Sequence, residues 1–232
     1  LLAGNLAIPD HLAPALAKLA ARLGEWPLLL NLANGALCRR VLDLHQTPAH
    51  AIDHIQRTLE KGAITRLDMR NATDRNQAVA LTIDASLELL NGEERPRFAE
   101  LAIFPEEVDI PLAAVVRLWG ATAQLDDLDT ENLIDTLHSL SLLQHFDPVG
   151  CSIRLHDVIR TYLREQIADL PALQRRFLAA YGHGSWTALP NDEPYLWDHL
   201  AFHLIEAGRY DELRALFSED GWLNVRIPHD DY

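Results

Sequence analysis

Histidine is the first group in this sequence that could do chemistry: there are eleven in 232 residues. His50 and His54 are four apart, and so are His199 and His203. On a helix that spacing puts both rings of a pair on one face, where they could hold a metal ion. A site would need a third ligand. Neither pair has the glutamate directly after its first histidine that the metalloprotease helix requires. We therefore expect no metal, and read both pairs as imidazoles on amphipathic helices. Carboxylates cluster at Glu93-Glu94, Glu106-Glu107 and Asp126-Asp127. Each cluster falls at an expected helix start or loop, where facing the positive end of the helix dipole is worth ~0.3–1 kcal/mol per charge. General acid–base work needs a pocket and a partner group, and the sequence points to neither, so no catalytic residue is assigned.

Other chemistries are excluded by what is missing. There is no Gly-Lys-Ser or Gly-Lys-Thr, and lysine occurs only at Lys18 and Lys61, so this chain has no P-loop of its own. No Gly-x-Ser-x-Gly elbow occurs either. Cys38 and Cys151 are too few for a disulfide framework and are not at metal-ligand spacing. Acidic residues number 34 and basic residues 20, a net charge of −14 that opposes binding to phosphate backbones. Apolar residues at 48% and charged residues at 23% are a globular composition, long enough for a real core. The apolar runs fall far short of the roughly 20 residues that span a bilayer, so no membrane is expected. No signal peptide precedes the first helix, which makes the cytoplasm the expected location. The first residue is Leu1, and we expect a fragment of a longer chain.

The elements that must position any site are mostly helical. Leu12, Leu16, Leu19, Ala20 and Leu23 share one face of a helix opened by Pro9-Asp10 and stopped at Gly24. Pro27 lies in the first turn of a second helix, where its missing N–H costs little. Thr47-Pro48 starts a third, ended by Gly62. The polar stretch from about 64 to 76 reads as a linker and hence a boundary. Helices then run through Val79–Leu90, Phe98–Phe104, Ile110-Pro111 to Gly120, and from near Thr130 to Leu140. At Ser152-Ile153-Arg154-Leu155 polar and apolar residues alternate, and with Asp147-Pro148-Val149-Gly150 as the turn they form a hairpin with Leu143–Phe146. A helix resumes near His156. Helices, a hairpin and a helix packed on it suggest a winged-helix unit. After Pro171 the chain is helical again, with Glu206 to Leu213 as the turn between antiparallel helices of a possible repeat array. The expected fold is mainly α: a small helical domain over residues 1–66, a winged-helix domain with one short β-hairpin over 67–168, and a second helical domain over 169–232.

A winged helix invites a DNA-binding hypothesis. The helix before the hairpin, Asp129 to His138, carries three carboxylates and no Lys or Arg, and the hairpin tip has one acid and no base. Such a surface repels phosphates, so no nucleic acid is expected.

Two short segments carry a resemblance. Gly24-Glu25-Trp26-Pro27-Leu28-Leu29-Leu30 resembles the Gly-Leu-Pro-Leu motif of the NB-ARC (STAND) signalling ATPase family. Ile153-Arg154-Leu155-His156-Asp157-Val158-Ile159 resembles its Met-His-Asp motif. Between them, Arg97 to Pro105 looks like the start of that family's winged-helix domain, and His199 to Trp222 is similar to its second helical domain. Glu25-Trp26 and Leu155 differ from the commonest family residues. The resemblance implies a chain that starts after the family's P-loop domain and binds ADP or ATP jointly with it, with magnesium brought only by that domain. It implies that Pro27 packs on the adenine, that Asn31 one turn later faces the same site, and that His156 donates a hydrogen bond to the ADP β-phosphate. It further implies a partner in the P-loop domain of the same parent chain, and a homo-oligomer once the closed form opens. The function expected is thus the regulatory portion of a slow ATPase switch. The alternative is an acidic winged-helix transcription regulator with a helical sensing domain.

Overall fold

The computed structural model describes residues 2, 4, 6–61, 72–182, 186, 189 and 193–218. Four helices come first: α1 (Ala13–Arg22), α2 (Pro27–Cys38), α3 (Pro48–Lys61) and α4 (Ala72–Leu87). Leu29, Leu32, Ala33, Ala36 and Leu37 of α2 are all buried, so this helix is apolar nearly all round. A helix of that kind belongs inside, and α2 is covered by α3 and α4. Thr47 caps α3 by accepting from the His50 N–H at 3.3 Å. The linker expected up to residue 76 is shorter than the sequence indicated, because the backbone is helical from Ala72. A polar run without glycine or proline shows no helical period, yet nothing in it forbids a helix that has α2, α3 and α8 (below) to pack against. The expected boundary between residues 66 and 67 lies outside the described residues.

The middle of the chain holds α5 (Glu94–Glu100), β1 (Ile110–Pro111), α6 (Leu112–Ala123), α7 (Asp127–Ser139), β2 (His145–Asp147), β3 (Ser152–Arg154) and α8 (Asp157–Glu165). Two of the acidic clusters serve helix starts. Asn91 and Glu94 cap each other's backbone, with the Asn91 N–H donating to Glu94 at 2.8 Å and the Glu94 N–H to Asn91 at 2.9 Å. Asp126 accepts from the Asp129 N–H at 2.8 Å and starts α7 one turn earlier than expected. The hairpin forms as expected, with Phe146 opposite Ile153. Its turn is held by Asp147, whose carboxylate accepts from the Gly150 and Val149 N–H groups. Those two bonds hold the Asp147 carboxyl below its usual range. The sheet has one strand more than expected. β1 pairs antiparallel with β3, in the order β1-β3-β2, so Ile110-Pro111 is an edge strand and the helix begins at Leu112. Proline fits a helix start or a strand edge equally well, and two residues are too few to show a period.

Three helices complete the described chain: α9 (Leu170–Ala179), α10 (Pro194–Glu206) and α11 (Tyr210–Ser218). Gly208, at φ +71°, makes the expected turn between α10 and α11. Their core meets the middle elements at an aromatic cluster. Phe104 lies edge-on to Phe177, Tyr195 and His203, at centroid distances of 5.4, 5.7 and 6.2 Å. A buried polar chain runs through it. Gln174 donates to the Ile103 carbonyl at 2.8 Å and accepts from His203 Nδ1 at 2.7 Å, and Tyr195 donates to His203 Nε2 at 2.8 Å. Gln174 uses its amide as donor to a carbonyl, so its oxygen takes the His203 proton and fixes the ring's tautomer.

Arg160 of α8 ties the same region from the other side. It is buried and donates to the Phe104 carbonyl at 2.5 Å and to Glu106 at 2.9 Å. Arg160→Met is expected to cost about 1–3 kcal/mol, because the Phe104 carbonyl loses its partner. Glu106, whose side chain is 58% exposed, contributes little, so Glu106→Gln should leave the urea midpoint nearly unmoved where Arg160→Met lowers it.

Candidate functional site

Pro27, Asn31 and His156 line one cavity of about 340 Å³. The first two come from the exposed side of α2, four residues and one turn apart. His156 comes from the junction of β3 and α8, more than a hundred residues later. The end of α7 and the segment after it supply His138, Ser141 and Gln144. Trp26 and Leu28 beside Pro27, with Leu143 and Ile159 opposite, complete an apolar part of the wall. Sequence reasoning missed His138, Ser141 and Gln144. They lie on polar, exposed or half-exposed positions, and only the folded chain shows that these face α2.

His156 is held by both elements that meet at it. Its backbone is extended, at φ −77° and ψ 135°, and it is the N-cap of α8. The sequence left open that Asp157 might cap this helix. Instead the His156 ring does so, with Nδ1 accepting from the Val158 N–H at 3.3 Å. That bond uses the Nδ1 lone pair, so a neutral ring carries its proton on Nε2. The ring is half-buried, at the wall of the cavity, and has a donor to offer there. It also stands at the start of a helix, the end that favours negative charge.

The chemistry of the cavity follows from its lining. Proline, tryptophan and leucine offer flat apolar contact. Asparagine, serine, glutamine and two imidazoles offer hydrogen bonds. No Lys, Arg, Asp or Glu lines it. This wall can orient a ligand with an apolar ring and polar substituents, but full anionic charge would have to be met from another side. Two wider clefts are less suited. One, of about 730 Å³, runs between the Asn91–Arg97 segment and α7, and its arginine, Arg97, is already bound to Thr122 and Glu100. The other, of about 640 Å³, lies along α8 and α10, where Arg160 and Arg164 are engaged with Glu106 and Glu206.

The histidine pairs go elsewhere. His54 bonds to Glu88 at 2.9 Å, and Glu88 also pairs with the buried Arg40. His203 is enclosed in the polar chain described above, and the His199 ring packs on Tyr195 at 4.8 Å. Among the described residues no three His, Cys, Asp or Glu side chains come together as a metal site. No helix among them is long and apolar enough to cross a membrane.

No family model matches the chain. It is similar to apoptotic protease-activating factor 1 of Danio rerio, 24% identical over 210 residues, covering 86% of this chain and 15% of that protein. The Homo sapiens protein of the same name is 26% identical over 159 residues, covering 65% of this chain and 12% of its own length. The chain is also similar to a Mycobacterium tuberculosis protein named "Putative HTH-type transcriptional regulator Rv0890c". That match is 29% identical over 217 residues, covering 91% of this chain and 23% of that protein. The chain thus spans under a quarter of the length of the relatives it matches. These likenesses, with the helical fold, loosely support a regulatory portion of a signalling ATPase.

Proposed function

We propose that this chain is the helical and winged-helix portion of an NB-ARC-type switch. It binds ADP jointly with a P-loop domain of the same parent chain and holds the closed, inactive state. The observation that carries the reading is the meeting of Pro27, Asn31 and His156 in one cavity. Pro27 packs on the adenine, Asn31 bonds to the nucleotide, and the Nε2–H of His156 donates to the β-phosphate. The uncharged wall agrees with a shared site: the P-loop domain, with its lysine and magnesium, supplies the charge, and this chain supplies orientation and a latch. A bond present only in the closed arrangement shifts the closed–open equilibrium by its full energy. When the latch breaks, the open form oligomerises. The setting is cytoplasmic.

The reading is tested by titrating ADP against the polypeptide that carries both the P-loop domain and this chain. The expected outcome is tight ADP retention, with duplex DNA unbound at moderate salt. The second reading, a winged-helix transcription regulator, is favoured by the name of the mycobacterial relative. It requires salt-dependent duplex binding, which the three carboxylates of Asp129, Glu131 and Asp135 on α7 oppose. Duplex binding without nucleotide retention would replace the first reading by the second.

A further inference from the structure

The two sides of the cavity belong to different parts of the chain, and something must hold them at a fixed spacing. Pro27, Asn31 and Gly35 follow one another at four-residue steps along one stripe of α2. The first two face the cavity. The third is buried, and a Cβ built on it would lie 2.4 Å from both the carbonyl carbon and the carbonyl oxygen of Leu140. The obstacle is backbone, so no rotamer change relieves it.

Leu140 is itself fixed. It is the C-cap of α7. Ser141 follows in the left-handed region at φ 57°, its N–H donating to the His138 carbonyl at 2.9 Å, and the Leu142 N–H donates to the Leu137 carbonyl at 3.0 Å. These two bonds close a Schellman cap, a rigid helix ending. Leu140 and Leu142 are fully buried on either side of it. The same cap carries His138 and Ser141 into the cavity wall.

We infer that Gly35 against the Leu140 backbone is a built-in brace that sets the width of the cavity before any ligand binds. The absence of a side chain at residue 35 lets α2 seat directly on the capped end of α7. The site is therefore preformed, and a ligand does not have to draw its walls together. A methyl group at residue 35 pushes α2 off the cap and opens the cavity. The bearing of this brace on a nucleotide rests on the reading proposed above. The brace itself does not.

The test measures the spacing in the absence of nucleotide. Spin labels are placed on cysteines substituted at the exposed Glu25 and Asp135, with Cys38→Ala and Cys151→Ser, and their distance is read by double electron–electron resonance. One narrow distance is expected without ADP. Gly35→Ala should lengthen and broaden it severalfold in width. Gly92→Ala, at a glycine with open space around it, should not. A broad distribution in the unsubstituted protein would overturn the brace, as would an unchanged narrow one in Gly35→Ala. If Gly35→Ala does not fold, the unsubstituted protein alone decides. A narrow distance together with absent ADP binding would strike the nucleotide reading and leave the brace standing.

Discussion

Replacing His156 by alanine should weaken ADP retention by about tenfold to a hundredfold in the polypeptide that carries the P-loop domain. A hydrogen bond to a charged group contributes ~1.5–3 kcal/mol, which sets that range. The ring also caps α8 through Val158, so alanine removes two things at once. The cap is worth ~1 kcal/mol of helix stability. His156→Ser separates them. Serine is a good N-cap and should restore most of the thermal stability, but it is too short to reach where the imidazole points. Its nucleotide retention should therefore match alanine and not the parent. Retention measured by dialysis against labelled ADP, beside a melting curve for each variant, gives both readouts. If the serine variant keeps its ADP, the imidazole is a cap and nothing more.

His203→Leu should cause the largest loss of stability of any single change considered. Leucine fills much of the volume, so little cavity forms. However, it strands the Gln174 oxygen and the Tyr195 hydroxyl, both of which bond to the buried ring. Each stranded group costs about 1–3 kcal/mol, so the sum is about 2–6 kcal/mol. For a chain of this size that lowers the melting temperature by roughly 5–20 °C. The same residue makes a pH signature. Burial pushes the His203 pKa down to about 3, with the neighbouring His199 adding to the effect. The folded ring stays neutral while the unfolded one takes up a proton below about 6.5. Stability contributed by this ring is therefore complete above pH 6.5 and is lost as pH falls toward 3, reaching about 2 kcal/mol by pH 5. Urea unfolding at pH 7 and pH 5 should show that loss in the parent, and a smaller one in His203→Leu. Equal losses in both would assign the acid sensitivity to other groups.

Most of the helices were legible because their apolar residues recur at helical spacing over ten or more positions, as in α2 and α3. The hairpin was legible because Asp-Pro-x-Gly sits between two short alternating runs. β1 was not, since Ile110-Pro111 is too short to carry a period and its partner, β3, lies some forty residues away. The start of α4 was hidden by the polarity of its first turn. For the cavity, the resemblance drew attention to Pro27, Asn31 and His156, and the fold brings them together. The tautomer of His156 was beyond reach, because it depends on which atom meets the Val158 N–H. His138, Ser141 and Gln144 were also beyond reach: nothing in their local sequence says that the end of α7 lies opposite α2.

Gln174, His203 and Tyr195 tie α9 and α10 to the Ile103 carbonyl, and Arg160 ties α8 to the Phe104 carbonyl next to it. These adjoining carbonyls act as a common axle. Any turning of α8 would be delivered to α10 and onward to α11 with little slack, as a crank passes torque to its shaft. Motion started at one imidazole would then be felt at the far end of the helical array as rotation of the whole segment, rather than dying out in the core.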